Sequence, residues 1–569
     1  MALPTDPQTP WPPILWRPAY LRYGEHSAWY SGDPQSLTRF YAGYAGQDKT
    51  GFFDPTTTAQ PYISVWRRFM FWARQIPGAT TRVRLHVPLA ADIASVSSDL
   101  LFSDPPKMLI QEAHEPTATA TSKTAQDRLN ELLDQDGIMG ALLEGAEVGS
   151  ALGGVYIKVG WDKEFASDRP LLSVIHADAV IPEFLYGRLV AATVWRVVMD
   201  TGKKVYRQLE RYEMQGGSAH IITGLYEGTQ DKLGKQVPLS MMPETTNIVG
   251  TMTDPAELPS GLVADVNTLL PRIPIVYVPN MRPNRSDRTS ALGRSDYAGV
   301  EGMLDALDEV WTSWMRDIRL GRARLIVPEE YLQTQRRGQG STFDLEREVW
   351  EGLKMNPQDG EIKPQQFQIR TQEHSETAED LVRQIVATAG YSGATFGLKG
   401  PENIEQTATE VHSLEARTLA TRDRKIRYWK SAMADIFEIL LMVDKQEFDG
   451  PGVFRPQMEF PKSIQASMID TANAVNFLTQ AQALSLKTKI QMVHPDWSPE
   501  MVAEEMAAIQ SENVPPPTVT SGSGEVPEGG PAKPAGPNAP KPTDAMPMRP
   551  GSTTGTAPAP SQPVSQPAQ

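Results

Sequence analysis

The spacing of apolar residues changes along the N-terminal half of the chain from a helical period to strict alternation. Leu89 to Phe102 places apolar residues three and four apart, which predicts a helix. A second helix is predicted from about Thr124 to Ser150, although Gly137 weakens it. From Gly153 the period is two, which predicts a mostly antiparallel sheet that reaches about Val278. The predicted strands are Val155 to Val159, Leu172 to Ile175, Ala192 to Val198, and Val205 to Leu209.

Helical spacing dominates the second half of the chain. An amphipathic helix is predicted after Ser295, which is a suitable N-cap residue, and a compact module follows it from Gly321 to about Arg370. Four further helices are predicted at Glu376 to Ala389, Thr407 to Val443, Ser467 to Leu484, and Pro499 to Ile509. After about Asn513 the chain is rich in Pro, Gly, Ser, Thr and Ala, and too few apolar groups remain to offset the entropy of ordering. We therefore expect a disordered tail.

Composition narrows the possible functions. The chain has 569 residues, a hydrophobic fraction of 40% and a formal net charge of -15, which argues against a protein that wraps nucleic acid on a basic surface. It has no cysteine, which excludes disulfides and thiolate chemistry. The first residues lack the pattern of a secretion signal, and no apolar run is long enough to span a bilayer, so we expect a soluble intracellular protein.

Motifs for catalysis are weak. The phosphate-binding pattern G-x-x-x-x-G-K-[ST] is absent, since Gly234-Lys235 is followed by Gln236. The string Gly390-Tyr391-Ser392-Gly393-Ala394 misses the G-x-S-x-G hydrolase pattern at its last position and follows a predicted helix instead of a strand. His494 and Asp496 lack a second pair with metal-ligand spacing. We expect no catalytic residue, metal or cofactor, and a hydrolase with an unfamiliar site is a weak alternative.

Carboxylates and tryptophans on the central helix each allow two interpretations. The carboxylates of Glu301, Asp305, Asp308 and Glu309 either form a solvated face or line a channel, where they would repel the phosphates of a passing duplex. Trp311 and Trp314, and Trp429 on the long helix, pack either inside their own chain or against neighbouring copies in a ring.

Four stretches, in this order along the chain, resemble the portal proteins of tailed double-stranded DNA phages, in particular those of the actinobacteriophage type. The stretches are His86 to Pro106, Gly293 to Glu309, Thr421 to Trp429, and His494 to Trp497. Each is short, but their order and intervals together cover most of the chain before the tail. The resemblance implies an α+β portal fold with a wing, a helical stem, a small α/β clip, a long wing helix and a helical crown.

The resemblance also implies a division of the chain into regions. Residues 1–60 would be an N-terminal arm, 61–293 a wing, 294–321 a stem helix, 322–373 a clip, 374–389 a second stem helix, 390–406 a tunnel loop, 407–462 the long wing helix and a strand, 463–512 a crown, and 513–569 the tail. In the tunnel loop the resemblance draws attention to Tyr391, Ser392, Gly393, Phe396 and Lys399, of which Lys399 either contacts phosphate or is an ordinary solvated lysine.

The function implied by the resemblance is a ring of about twelve copies at one capsid vertex. Such a ring would conduct DNA during packaging and ejection, and it would dock the large subunit of the terminase motor and later the head-tail adaptor. It would contact the major capsid and scaffolding proteins, and it would assemble in the host cytoplasm. Another ring-forming virion protein, such as the adaptor itself, is the alternative, although adaptors are usually much shorter.

Overall fold

The computed structural model describes much of the chain in separate segments. These are residues 3–46, 71–72, 84–114, 118–135, 137–163, 165–245, 262–320, 324–326, 333–334, 341–342, 363–365, 369–398, 408–461, 475–481, 484–494, 497 and 499–512. The chain divides into two compact units, Met1–Met468 and Ile469–Gln569. Each unit is described by itself below.

The first unit contains nine of the helices and all of the strands in the described residues. Its helices are α1 (Arg17–Tyr30), α2 (Pro34–Gly46), α3 (Leu89–Phe102), α4 (Gln111–His114), α5 (Ala120–Asp134), α6 (Ile138–Leu152), α7 (Glu301–Leu320), α8 (Thr371–Ala389) and α9 (Ala408–Glu447). Its strands are β1 (Lys107–Leu109), β2 (Gly154–Gly160), β3 (Leu171–His176), β4 (Val180–Leu185), β5 (Arg188–Asp200), β6 (Val205–Gln215), β7 (Ser218–Gly228), β8 (Lys235–Val237), β9 (Val263–Asn267), β10 (Ile275–Pro279), β11 (Arg324–Ile326), β12 (Gln333–Thr334), β13 (Ser341–Thr342), β14 (Lys363–Gln365) and β15 (Gln457–Glu459). The mixture confirms the α+β class.

Two larger sheets and three two-stranded sheets, β1-β15, β11-β14 and β12-β13, form the β part of the first unit in the described residues. One of the larger sheets has the order β10-β2-β3, and the other has the order β4-β5-β6-β7-β8, with β9 also paired to β7. Every strand pairing in the described residues is antiparallel, which confirms the prediction from the alternating pattern. Tyr156 lies opposite Tyr277 on one side and Ile175 on the other, at the centre of the three-stranded sheet.

Local periodicity located most helices but not their ends. The helix α3 matches its prediction residue for residue, whereas the single helix predicted from Thr124 to Ser150 is two helices. The break occurs at Gly137, whose φ of 62° is left-handed. This conformation interrupts the helix, and glycine adopts it at little energetic cost because it has no Cβ. The helix α7 begins at Glu301 and not after Ser295, because the residues between them form turns.

The N-terminal helices belong to the main hydrophobic core, in contrast to the arm predicted for residues 1–60. In α1, Trp29 is fully buried and its Nε1 donates to the Tyr41 hydroxyl at 2.8 Å. Tyr41 in turn donates to the buried carboxylate of Glu25 at 2.9 Å. The same core includes Ile93 of α3 and Phe437 of α9. The proline-rich start therefore precedes a helical layer that packs on the rest of the unit.

The second unit contains α10 (Leu486–Val493) and α11 (Pro499–Glu512), which pack on each other. Ser485 caps α10, since its hydroxyl accepts a hydrogen bond from the Thr488 amide. Of the helix predicted from Ser467 to Leu484, residues 475–480 are helical and residues 462–474 lie outside the described part. The predicted tail after Asn513 also lies outside it.

Candidate functional site

The helices α7 and α8 lie side by side and are joined by a polar cluster at the end of α7. Asp317 accepts hydrogen bonds from His374 at 3.0 Å and from Arg370 at 3.0 Å. These two bonds lower the pKa of Asp317 below its ordinary value. The His374 ring also stacks on Trp314, with 6.1 Å between centroids and 11° between planes. One carboxylate and one stacked ring therefore hold the end of α7 against the start of α8.

Two buried carboxylates on α7, Asp305 and Asp308, hold residues 71–72 and 84–87 against the helix. We call this contact the clasp. Asp305 is 7% exposed and Asp308 is 0% exposed. The Arg84 guanidinium joins the two stretches of the clasp, because it donates to the Trp72 carbonyl at 2.9 Å.

Asp308 uses both oxygens in the clasp. Its Oδ2 accepts from Trp72 Nε1 at 3.0 Å and from His86 Nδ1 at 2.8 Å. Its Oδ1 accepts from the backbone amide of Val87 at 2.8 Å. Such charge-assisted hydrogen bonds are stronger than bonds between neutral groups, so Asp308 anchors the entry into α3.

Asp305 binds the first stretch of the clasp through its backbone. Its carboxylate accepts from the Phe71 amide at 2.7 Å and from the Trp72 amide at 3.3 Å. Burial nevertheless raises the pKa of Asp305 to about 6, because desolvation of the charge outweighs the two backbone hydrogen bonds. The structure thus places Asp305 and Asp308 inside the chain, in contrast to the prediction that they line a channel.

The other two carboxylates of that predicted set lie nearer the surface. Glu301 accepts from His26 Nε2 at 3.3 Å and from the Gly299 amide at 2.8 Å. Burial raises the pKa of Glu301, but the hydrogen bond from His26 and the electrostatic attraction to the same ring together outweigh it. The pKa of Glu301 therefore lies below its ordinary value. Glu309 is half-buried on α7. A channel-facing role for Glu301 and Glu309 stays a prediction.

An ion pair between Asp296 and Lys425 lies fully inside the first unit, where the turn before α7 meets α9. Asp296 also accepts from the Ser150 hydroxyl at 2.6 Å, from the Tyr391 hydroxyl at 2.7 Å and from the Asn280 side chain at 2.7 Å. Burial alone would raise the pKa of Asp296, but Lys425 and these donors hold it below its ordinary value.

Lys425 additionally donates to the Ser97 hydroxyl of α3. We call the six side chains of this network the hub: Ser97, Ser150, Asn280, Asp296, Tyr391 and Lys425. The hub connects α3, α6, α9, the turn before α7 and the segment after α8.

The segment after α8, predicted as a tunnel loop, starts from this hub. Gly390 ends α8 with a left-handed φ of 106°, and Tyr391 then enters the core, where it is 1% exposed. Gly393 precedes a short 3-10 turn, and Phe396 is half-buried with its ring 6.0 Å from that of Tyr391. Tyr391 is thus an anchor of the segment and not a surface group. Lys399 lies outside the described residues.

Ser392 lies among other hydroxyl groups. Its Oγ is 3.0 Å from the Thr395 Oγ1, and its amide donates to the Thr418 Oγ1 at 2.9 Å. Neither threonine can act as the general base that a serine nucleophile needs. The geometry of Ser392 therefore favours the structural interpretation over the hydrolase alternative.

The three tryptophans predicted to pack between subunits differ in burial. Trp429 is 3% exposed and lies edge-on against Phe102 of α3, with 4.9 Å between centroids, so it packs inside its own chain. Trp311 and Trp314 are half-buried, with 5.1 Å between centroids. The indole Nε1 of Trp314 has no hydrogen-bond partner. Only Trp311 and Trp314 therefore keep surface for a neighbouring copy.

A different acidic surface lies on α8. Glu373, Glu376 and Asp380 are exposed and occupy one stripe of the helix, because they are three and four residues apart. Glu379 is exposed beside them and pairs with Arg383 at 2.8 Å. We call Glu373, Glu376, Glu379 and Asp380 the acidic face of α8. It offers exposed negative charge that Asp305 and Asp308 do not.

Sequence reasoning missed the hub and the clasp, although one signal was present. Lys425 lies four residues before Trp429 and eight before Met433, on the apolar seam of α9. A lysine on such a seam predicts a buried partner. Its partners, Asp296 and Tyr391, are distant in sequence, and nothing in the residues around them predicts that they contact Lys425.

Other kinds of site are not evident in the described residues. There, no group of three or more histidine or acidic side chains is placed to hold a metal ion. No helix of that part of the chain combines the length and apolarity needed to cross a bilayer.

Comparison with known proteins identifies the family. The family model for phage portal proteins of the SPP1 Gp6-like type matches residues 67–515, which is most of the chain. A search of curated proteins found no match. The family match spans all four stretches on which the resemblance was based, together with the hub, the clasp and the acidic face of α8. The chain therefore belongs to the phage portal protein family and is a structural component of the phage capsid.

Proposed function

We propose that about twelve copies of this chain form a ring at one capsid vertex, through which double-stranded DNA enters during packaging and leaves during ejection. The observation that carries this proposal is the acidic face of α8, on a helix that is paired with α7 and tied to the core through the hub. Within the family, this paired unit is the natural candidate for the wall of the channel.

The charge of this surface suits a conduit. Carboxylates repel DNA phosphates, and at physiological salt the repulsion acts within about 8 Å, so it prevents adhesion without stopping a duplex that fits the bore. Proteins that bind DNA tightly do the opposite and neutralise phosphates with lysine and arginine. The formal net charge of -15 agrees with a conduit.

The remaining assignments follow the family organisation. We propose that α7 and α8 are the stem and that residues 390–406 are the tunnel loop. The clip predicted for residues 322–373 would then end at residue 370, because α8 already begins at Thr371. The long helix α9 with the N-terminal helices and sheets would be the wing, and residues 463–512 the crown. In the ring, Trp311 and Trp314 would pack against the next copy, since their half-buried rings leave apolar surface on the stem.

We propose the partners on the same basis. The clip would dock the terminase large subunit and later the head-tail adaptor, and the assembled ring would nucleate the procapsid together with the major capsid and scaffolding proteins in the host cytoplasm. The chain would act without a cofactor and without catalysing a reaction.

Negative-stain images of the purified full-length chain test ring formation, and annular particles with a central hole are the expected result. Images of compact single copies at all concentrations would contradict the ring.

A charge reversal then tests the channel wall. Rings of the double variant Glu373→Lys and Asp380→Lys should form normally but package DNA more slowly, with the larger effect at low salt. The matched control is the double variant Asp127→Lys and Asp134→Lys, which changes two exposed carboxylates with the same spacing on α5. Equal packaging rates in wild-type, α8 and α5 rings would contradict the assignment of α8 to the channel.

A further inference from the structure

An arginine in the turn before α7 is largely buried and has no ion pair within the described residues. Arg294 is 8% exposed, its Nε atom has no hydrogen-bond partner, and its guanidinium forms no ion pair in the described residues. The adjacent carboxylate of Asp296 is already engaged by Lys425 in the hub. Leaving a buried charge uncompensated is strongly destabilising. Such a group therefore indicates a missing negative partner.

Arg294 lines a small cavity between α1 and this turn. The walls include Arg22, Tyr23 and His26 from α1, and Arg294 and Ser295 from the turn. The cavity has room for one water-sized occupant, for which about 10–15 Å³ of free volume is enough.

Two more unpartnered polar atoms belong to the same walls. His26 is 4% exposed and its Nδ1 has no hydrogen-bond partner, while its Nε2 is used by Glu301. Ser295 is 1% exposed and its hydroxyl makes no hydrogen bond of normal length, although it lies close enough to the Tyr297 hydroxyl to lower the pKa of that group. Buried polar groups are nearly always hydrogen-bonded. Of these three atoms, Arg294 Nε and the Ser295 hydroxyl can both donate to one ligand in the cavity.

The charge of the walls decides the sign of that ligand. Arg22 and Arg294 both line the cavity, and neither has a carboxylate within 4.0 Å among the described residues. Asp287 lies near enough for Arg22 to lower its pKa, but the Asp287 carboxylate is occupied by the Thr289 hydroxyl and amide. Asp287 near Arg22 and Asp296 near Arg294 lie beyond ion-pair distance, so a water molecule would satisfy hydrogen bonds but would add no negative charge beside the two guanidinium groups.

We propose that this cavity binds one small anion, of the size of chloride, between Arg22, Arg294 and the Ser295 hydroxyl. The same chemistry is available from two sources, a free chloride ion and a carboxylate oxygen of a second copy of the chain. In either case the anion connects α1 to the turn that leads into α7, so binding stabilises the base of that helix. The assignment does not rest on the proposed conduit function.

Thermal unfolding of the full-length chain tests the site at constant ionic strength, with sodium chloride replaced stepwise by sodium methanesulfonate, whose anion is larger than chloride and has no carboxylate. The midpoint should rise with chloride in the wild type, because a ligand that binds only the folded state stabilises it in proportion to the logarithm of its concentration. Arg294→Met should lose this dependence. Arg188→Gln, which removes an exposed arginine of β5, should keep it.

A second measurement detects the ion directly. The ³⁵Cl resonance should broaden in the presence of folded wild-type chain and should broaden less with Arg294→Met. If Arg294→Met does not fold, Ser295→Ala takes its place, and a weaker broadening supports the site. Equal midpoints in chloride and methanesulfonate, together with no excess broadening, would show a water-filled cavity and overturn the proposal.

The same samples separate the two sources of the anion. Negative-stain images report whether the chain is assembled, independently of chloride. A chloride response in the unassembled chain that disappears in rings would show that a carboxylate of the neighbouring copy fills the cavity. A response in both states would assign the site to free chloride. Both results support the anion site, and a chain that forms rings but shows no response in either state contradicts it.

Discussion

Replacing Asp308 with asparagine should loosen the clasp at a defined atom. The carboxylate accepts from Val87 on Oδ1 and from Trp72 and His86 on Oδ2. An asparagine has one acceptor oxygen, so its amide nitrogen must face either the Val87 amide or the two side-chain donors. The amide nitrogen should face Val87, because the side-chain oxygen then still accepts from both Trp72 and His86 and only the Val87 amide is left unpaired. One unpaired buried donor costs about 1–3 kcal/mol, which makes local opening of the clasp about 5 to 150 times more frequent.

Hydrogen exchange followed by mass spectrometry measures this opening in the full-length chain. In Asp308→Asn, the peptide that contains Val87 should exchange faster by that factor, and peptides from β6 and β7 should be unchanged. The matched control is Glu373→Gln, which neutralises an exposed carboxylate on α8 and should leave Val87 protected as in the wild type. Equal protection of Val87 in Asp308→Asn and the wild type, with the fold intact, would refute the anchoring role of Asp308.

Three further predictions concern the hub, the clasp and a helix break. Lys425→Met should lower the free energy of unfolding by about 3–5 kcal/mol in urea titration, because it leaves the Asp296 carboxylate buried without its cation, and adding Asp296→Asn should restore part of the loss. The pKa of Asp305 is about 6 in the folded chain against an ordinary value of 3.8, so as pH falls the folded state binds this proton before the unfolded state does. Its contribution is fully present below pH 3.8 and is lost as pH rises through 6. The stability of the wild type relative to Asp305→Asn should therefore increase from pH 7 to pH 4; a difference that does not change with pH would contradict the raised pKa. Gly137→Ala should cost about 1–2 kcal/mol in thermal unfolding through backbone strain alone, since φ is 62° and no atom lies within 4 Å of the added carbon. An unchanged midpoint would show that the break between α5 and α6 does not need this conformation.

The elements that local spacing predicted well are those whose burial repeats regularly along the chain. In α3, Ile93 and Leu101 recur at helical spacing and both are buried in the core, so they marked the helix and its buried side. The strand β2 was predicted correctly for another reason: its first four residues are all buried, so its run of large apolar residues and not an alternation of burial marked it. Helix ends were harder, since the start of α7 depends on turns and not on apolar spacing.

The acidic set on α7 shows where local spacing is insufficient. Asp305 and Asp308 have the spacing of a solvated or channel-facing stripe, and nothing near them in sequence indicates burial. Their burial is caused by Phe71, Trp72 and Val87, more than two hundred residues earlier in the chain. A carboxylate can be buried when hydrogen-bond donors surround it. Which donors surround it depends on the tertiary structure and cannot be predicted from nearby residues.

By itself, the sequence determined the α+β class, the antiparallel pairing, the long helix α9 and the membership of the portal family, because each depends on short-range periodicity or on ordered local motifs. Only the tertiary structure decided which charges are inside. It buried Asp296 with Lys425, closed the clasp on Asp308, and left the exposed acidic surface on α8. The physical reason is that desolvation and pairing of a charge depend on groups brought together from distant parts of the chain.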